Sequence, residues 1–341
     1  MKRVLSLFLS CIFVLGVCFS TPIIASAAED DLILKLGEAT TAYEPYIFKE
    51  LTAPGSGEDE KGTCALVGYT GNDKVNIESA DINSDKGFYI LTKIASTAFS
   101  NGMSNTTLTI PANITSIEDG AFVGCTALTA FEVSDKSQYF TVDNGVLFNK
   151  NKTTLIAYPA AKEGTEYTIP ATVTEIAEGA FANCSGLLGF KVTEGNLNFY
   201  VDPLENSVEE GAVIDCGVLI EKVTGENEVT TKRIIAYPAA NPTTKYTIPA
   251  DVTEIADGAF ANCNSINAFS VSADTYFSTT EDGILFNANK TKLIAYPAAK
   301  TGTEYTIPEG VEEIADGAFA DCANLKYIFT EKNGKKCLIF F

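Results

Sequence analysis

The chain has 341 residues, of which 46% are apolar and 20% charged; that is enough apolar surface for a real core and too little charge for a disordered chain. Its formal net charge is −20, so nucleic acid and anionic lipid surfaces are repelled. It contains no histidine, which removes Ser-His-Asp and Cys-His hydrolases and histidine-rich zinc sites.

Lys2 and Arg3 precede an apolar run from Val4 to Phe19, and Ala25-Ser26-Ala27 has the small-x-small form of a cleavage site. Residues 1–28 therefore read as a secretory signal peptide, leaving a chain with no further stretch long enough to insert in a membrane. Without Lys2 and Arg3 there are 22 basic against 44 acidic residues, and Arg233 is the one remaining arginine. Residues 29–61 match nothing downstream; they end in the loop-like Pro54-Gly55-Ser56-Gly57 and are assigned to an N-terminal cap.

From residue 62 the chain repeats itself. Thr-Ile-Pro begins at Thr109, Thr168, Thr247 and Thr306, and Gly-Ala-Phe at Gly120, Gly179, Gly258 and Gly317. A cysteine follows at Cys125, Cys184, Cys263 and Cys322, and all three marks advance in the same steps of 59, 79 and 59. Ala-Tyr-Pro-Ala-Ala begins at Ala157, Ala236 and Ala295 in the same frame. The longer step is the same module with 20 residues inserted between Phe190 and Ile234, in polar, turn-rich sequence. A degenerate copy lies upstream, where Ala98-Phe99 precedes Ala121-Phe122, so the module contains a coil of about 23 residues.

Within a module, Tyr167-Thr168-Ile169 reads as a short strand ended by Pro170, and Thr172 to Ile176 as strand-like sequence. Ile176, Ala180, Phe181, Cys184 and Leu187 then form a helical stripe or a 3₁₀-type turn, and Phe190-Lys191-Val192 returns to period two. Gly145 to Tyr158 reads as a β-hairpin with a polar turn at Asn149-Lys150-Asn151-Lys152. A unit this small cannot bury its own apolar face, but a stack of them can. The expected fold is thus a β-rich, leucine-rich-repeat-type solenoid over 62–341, with short helical or 3₁₀ turns and β-hairpin segments. At the end, Cys337-Leu338-Ile339-Phe340-Phe341 either folds back as a last strand or leaves an unfinished coil.

These motifs resemble the BspA-like leucine-rich-repeat proteins of bacterial cell surfaces. The second copy carries the pattern as Ile169-Pro170, Val173-Thr174-Glu175-Ile176, Ala180-Phe181, Cys184 and Leu187. The resemblance covers about residues 62–330. It implies a curved solenoid, secretion or surface display, and binding to host or other extracellular proteins, without naming a ligand.

Few residues compete with that reading. The four repeated cysteines look like small buried side chains at a turn, expected about 10 Å or more apart and so beyond disulfide reach. Cys64, Cys216 and Cys337 lie outside this ladder and are left as free or paired. The pairs Glu175 and Glu178, Glu254 and Asp257, and Glu313 and Asp316 read as a solvated acidic stripe; a unique active site would not recur with the module. Asp143-Asn144-Gly145 and Glu281-Asp282-Gly283 fit turns and not calcium loops. No catalytic, cofactor or metal residue is assigned. The candidate partner-binding residues are Tyr158, Tyr237 and Tyr296, before Pro-Ala-Ala, and Tyr167, Tyr246 and Tyr305, before Thr-Ile-Pro, since tyrosine combines a large contact with a polar tip. The functional expectation is a non-enzymatic, secreted or surface-associated protein that binds another protein, with a carbohydrate- or cation-binding module as the alternative.

Overall fold

A computed structural model of the chain describes residues 46–339 apart from 56–59, 72–76, 78–80, 85–86, 97, 204–207, 210–211, 214–216, 225–229, 273–275 and 333–334. The expected signal peptide, the stretch 29–45 of the expected cap, and Cys216 lie outside the described residues. The chain forms two compact units, one running to Lys162 and one from Glu163.

In the N-terminal unit, strand Tyr46–Thr52 pairs antiparallel with Gly62–Tyr69, which runs parallel to Gly87–Ile94. Gly87–Ile94 pairs in parallel with Ser116–Ile117, Lys93 opposite Ser116 and Ile94 opposite Ile117. Beside them the Thr115 hydroxyl donates to the Thr92 carbonyl, 23 residues back. The same separation recurs where Thr107–Ile110 lies parallel to Ala130–Val133, with Thr109 opposite Glu132. An antiparallel meander follows through Phe140–Asp143, Val146–Asn149 and Thr154–Ala157. Its first turn is Asn144-Gly145, with φ of 47° and 78°, the two left-handed residues that a type I′ hairpin requires.

The C-terminal unit repeats this plan. Glu166–Ile169 lies parallel to Gly189–Val192, Lys245–Ile248 to Ala268–Val271, and Glu304–Ile307 to Tyr327–Lys332. All three keep the coil spacing, as in the Thr247–Ser270 pair, whose hydroxyls meet at 2.7 Å. Between these pairs stand two meanders, Phe199–Pro203 with Gly217–Thr224 and Thr230–Ala236, and Phe277–Thr279 with Leu285–Asn287 and Lys292–Ala295. The last strand of each meander joins the next module in parallel, Arg233 opposite Glu254 and Lys292 opposite Glu313. The insertion lengthens the first meander and adds the small strand pair Val208–Glu209 and Ala212–Val213. The apolar tail folds back: Lys335–Ile339 pairs antiparallel with Tyr327–Lys332.

The architecture is a β-rich solenoid of stacked coils, and no helix occurs among the described residues. Of the two readings of the Ile176–Leu187 stripe, the helical one gives way to a chain of separate turns. Ala180 N–H donates to Ala177, Ala182 to Gly179, and Leu187 to Cys184, each three residues back. A helix cannot run through the segment because Gly179 and Asn183 sit at φ of 71° and 61°. The residue before each repeated cysteine needs this conformation, which accounts for Gly124, Asn183, Asn262 and Asp321 at that place.

The turns of successive modules stack directly. The side-chain amides of Asn183 and Asn262 lie 2.8 Å apart, and a Cβ on Gly317 would stand 3.3 Å from Gly258 Cα. Beside the repeated cysteines, successive modules of the C-terminal unit are therefore in direct contact. The repeated cysteines are buried thiols: Cys184, Cys263 and Cys322 turn their Sγ toward the carbonyl two residues back, at 3.6–3.7 Å. Cys64 is also free and buried, and Cys337 is free and exposed. In three modules the Gly-Ala-Phe ring meets the ring of the following strand edge-on, at 4.8 Å for Phe122–Phe131, 4.9 Å for Phe181–Phe190 and 4.8 Å for Phe260–Phe269.

Candidate functional site

The six tyrosines chosen from the sequence are placed in or against the core. Tyr158, Tyr237, Tyr246 and Tyr296 are buried, and Tyr167 and Tyr305 half-buried. The backbone explains the inward set: Tyr237 N–H donates to Ala259 and Tyr296 N–H to Ala318, which tucks each ring beneath the next module's Gly-Ala-Phe turn. There they build aromatic clusters. Tyr237 lies 5.0 Å from Tyr246 and 5.9 Å from Phe260, and Tyr296 lies 5.1 Å from Tyr305 and 5.6 Å from Phe319. Tyr167 packs on Phe181 at 5.9 Å. Burial pushes the Tyr296 phenol up to about 12 and raises Tyr237, Tyr246 and Tyr305 as well. A partner cannot reach the four buried rings, so the expected contact ladder is corrected to an internal packing ladder.

Of the acidic pairs, Glu175, Glu178, Glu254, Glu313 and Asp316 are exposed and Asp257 is half-buried, and Glu178, Glu254, Asp257 and Glu313 bind cations. In the C-terminal unit, Arg233 binds Glu178 of one module at 2.5 Å and Glu254 of the next at 2.9 Å. Lys292 repeats the arrangement one module on, at 3.0 Å from Asp257 and 2.8 Å from Glu313. Acid, cation and acid thus alternate across the module boundary within the exposed stripe. Burial works against the Lys292 charge, but the bonds to Glu313 and Asp257 outweigh it and hold its pKa above the ordinary value. In the N-terminal unit Lys93 meets Glu118 at 2.5 Å and, with the Ser96 N–H, holds that carboxyl below its usual range.

Arg233 marks where the repeat breaks. In the other meanders Asn149 and Asn287 cap the polar turn, their Oδ1 accepting from the N–H groups of Thr153 and Thr154, and of Thr291 and Lys292, at 2.8–3.1 Å. In the inserted module the equivalent residue is Glu221. It stands opposite Arg233 across the lengthened hairpin, at 3.6 Å, and burial raises its pKa.

The outward-facing apolar residues are others, not selected from the sequence. Tyr139 in the N-terminal unit, and Leu197 and Tyr276 in the C-terminal unit, are 49%, 83% and 60% exposed. Tyr139 and Tyr276 stand directly before the buried Phe140 and Phe277 at the start of a meander, whereas Leu197 stands two residues before the buried Phe199, whose direct predecessor is the half-buried Asn198. Period-two alternation at Tyr139-Phe140 and Tyr276-Phe277 is the sequence signal that would have found two of them. The loops are fixed at their base. Lys150 N–H donates to the Tyr139 carbonyl at 2.7 Å, Lys222 to Asn198 at 2.7 Å and Ala288 to Tyr276 at 2.9 Å. Buried Asn196 ties the Leu197 loop down further, its Oδ1 accepting from Phe199 N–H and its Nδ2 donating to Pro170 and Val173, at 2.9–3.0 Å.

The turn acids predicted not to bind calcium are engaged in the turns themselves. Asp143 pairs with Lys152 at 2.8 Å, and Asp282 with Lys300 at 3.1 Å and with the Thr280 hydroxyl at 2.5 Å.

Comparison with known proteins gives a consistent picture. A family model described as the BspA type leucine rich repeat region matches six copies, over residues 74–162, 157–276, 206–301 and 295–337. No curated protein matches the sequence. Among solved structures, the chain is similar to a leucine-rich repeat protein from Eubacterium ventriosum, with 25% identity over 70% of this chain and 52% of that one, at a TM-score of 0.35. It is also similar to a leucine rich cell surface protein from Faecalibacterium prausnitzii, with 19% identity, covering 83% of this chain and 86% of that one at a TM-score of 0.33. The pneumococcal vaccine antigen PcpA matches with 19% identity over 89% of this chain and 65% of its own, at a TM-score of 0.29. The chain thus spans about half the length of the Eubacterium protein.

Proposed function

Because the chain belongs to the BspA-type leucine-rich-repeat family, we propose that it is a secreted or cell-surface protein that works by binding another extracellular protein without chemical turnover. One observation carries this reading: the repeated groups capable of chemistry are used to hold modules together. The Glu178, Glu254, Asp257 and Glu313 carboxylates bind Arg233 or Lys292, the repeated cysteines are buried, and four of the six singled-out tyrosines are in the core. What the fold presents outward is a regular frame with exposed side chains such as Tyr139, Leu197 and Tyr276, which suits recognition. The basic and apolar opening of the sequence supports export.

The test is a pull-down of defined extracellular proteins by the full chain, run beside a glycan array, each with and without calcium. Saturable binding to a protein is the expected result. Binding confined to glycans, or dependent on calcium, would transfer the role to the carbohydrate- or cation-binding alternative. Hydrolytic turnover abolished by removing a single carboxylate would overturn both.

A further inference from the structure

We propose that Asn144 is a site of spontaneous deamidation, and that the fold accepts the aspartate it yields by pairing it with Lys162. The proposal concerns the covalent chemistry of the chain and stands apart from the binding reading.

Asn-Gly occurs at Asn101, Asn144 and Asn333, and Asn333 lies outside the described residues. A following glycine, with no Cβ, least obstructs the approach of its own amide nitrogen to the asparagine side chain. At Asn144 that approach is open. Asn144 and Gly145 form the tip of the two-residue hairpin, at φ of 47° and 78°, and Asn144 is exposed. No described residue accepts a hydrogen bond from the Gly145 N–H. Lys162 Nζ stands 3.8 Å from the point a Cβ on Gly145 would take, so a positive charge faces the nitrogen as it loses its proton. The adjacent Asp143 is already paired with Lys152 at 2.8 Å. At Asn101 both reacting groups are tied: Asn101 Nδ2 donates to the Tyr69 carbonyl at 3.1 Å, and the Gly102 N–H donates to Phe99 at 2.8 Å.

In the reaction the Gly145 nitrogen bonds to the Asn144 side-chain carbonyl carbon, and the NH2 group leaves as ammonia with the Gly145 proton. Water then adds across a C–N bond of the resulting succinimide. Opening at the side-chain carbonyl gives aspartate, and opening at the main-chain carbonyl gives isoaspartate. The molecule holds a template for the aspartate. Gly145 and Gly283 share one module position, their carbonyls accepting from the Phe131 and Phe269 N–H groups at 2.8 and 2.9 Å. Before Gly283 stands Asp282, in a longer turn, with its carboxylate 3.1 Å from Lys300. Lys300 follows Ala-Tyr-Pro-Ala-Ala just as Lys162 does. Deamidation thus gives Asn144 the side chain that the same frame pairs with a lysine elsewhere.

The folded full-length protein is incubated at pH 8 and sampled by peptide mapping, with fragment ions locating each asparagine that has exchanged NH2 for OH. Asn144 should convert at least about tenfold faster than Asn101, where two hydrogen bonds must first open. In Lys162→Gln the Asn144 rate should fall about fivefold, the factor for unit charges roughly 4 Å apart in water. Asn144→Asp should match the unaltered protein in urea midpoint, and should fall below its parent when Lys162 is replaced by glutamine. Equal rates at Asn144 and Asn101, or conversion of Asn144 only in the urea-unfolded chain, overturn the site. An undiminished rate in Lys162→Gln, or an Asn144→Asp midpoint below that of the unaltered protein, overturns the part given to Lys162.

Discussion

Replacing Arg233 with methionine tests whether the arginine holds the inserted module in place. Its side chain is 18% exposed and meets Glu178 and Glu254, which are 49% and 60% exposed, and Glu221, which is 20% exposed. Pairs to the two exposed acids fall in the range of about 0–1 kcal/mol each. Leaving a fully buried carboxylate unpaired costs about 3–5 kcal/mol, and one-fifth exposure for Glu221 brings its share to roughly 1.5–2. The sum is a loss of about 1.5–4 kcal/mol at pH 7, or roughly 0.5–2 M in urea midpoint for a slope of 2–3 kcal/mol per molar. The pH dependence carries a sign. Burial already raises the Glu221 pKa, with Arg233 opposing it, so removing the arginine raises it further. A raised carboxyl favours the fold when protonated, hence the deficit of the variant shrinks as pH falls through that pKa and is largest above it. Adding Glu221→Gln should restore more than half of the loss. Urea titrations followed by circular dichroism at pH 7 and pH 5 measure all of this. A loss under about 0.5 kcal/mol, a deficit equal at both pH values, or no rescue by Glu221→Gln refutes the reasoning.

Four further outcomes follow from the core. Among the described cysteines only Cys337 is exposed, so it alone should take a thiol reagent in the native protein, with Cys64, Cys125, Cys184, Cys263 and Cys322 modified only on unfolding, as peptide mapping would show. Burial pushes the Cys64 and Cys322 thiols up to about 12, so the stability they contribute is complete below the ordinary thiol value of ~8.5 and is lost as pH rises toward 12; peptide mapping that finds Cys64 or Cys322 alkylated near pH 8.5 with the fold intact would contradict this. Gly283→Ala should cost about 2–3 kcal/mol, because φ is 80° and the new Cβ would lie 2.5 Å from Ala268 Cβ, whereas Gly195→Ala, at φ 88° with open space around it, should cost about 1 kcal/mol in the same urea assay. The buried hydroxyl of Tyr246 has no hydrogen-bond partner, so Tyr246→Phe should leave the midpoint unchanged or raise it, while Tyr246→Ala should lower stability by about 3–5 kcal/mol.

The repeat frame was legible in the residues because each mark recurs in register, and the coil read from Ala98-Phe99 and Ala121-Phe122 has the spacing that pairs the parallel strands. The helical stripe was ambiguous because Ile176, Ala180, Phe181, Cys184 and Leu187 satisfy both a helix and a run of turns. The decision lay in Gly179 and Asn183, whose left-handed conformation only the backbone displays. Burial of Tyr237 was hidden for another reason: its cover, the turn at Ala259, belongs to the next module, and tyrosine is equally at home half in water. The ion pairs of the exposed acidic stripe were not legible because Glu178 finds its cation 55 residues away, beyond any local charge pattern.

The position of the one arginine outside the N-terminal segment follows from the same geometry. Where Asn149 and Asn287 stand, a neutral amide can cap the turn by accepting two N–H bonds. The insertion lengthens this hairpin and puts Glu221 in that place, so a third carboxylate enters a boundary already occupied by Glu178 and Glu254. A lysine, with one compact ammonium, serves the two acids around Lys292. Three acids call for a group that spreads its charge over several nitrogens, and Arg233 hydrogen-bonds Glu178 through Nη2 while Nη1 and Nε stand as ion pairs 3.6 Å from Glu221 and 2.9 Å from Glu254, the latter without hydrogen-bond geometry. Arg233→Lys is therefore not a conservative change: with the charge kept and the fork lost, it should retain no more than the two-acid arrangement of Lys292 and give a urea midpoint between those of the unaltered protein and Arg233→Met.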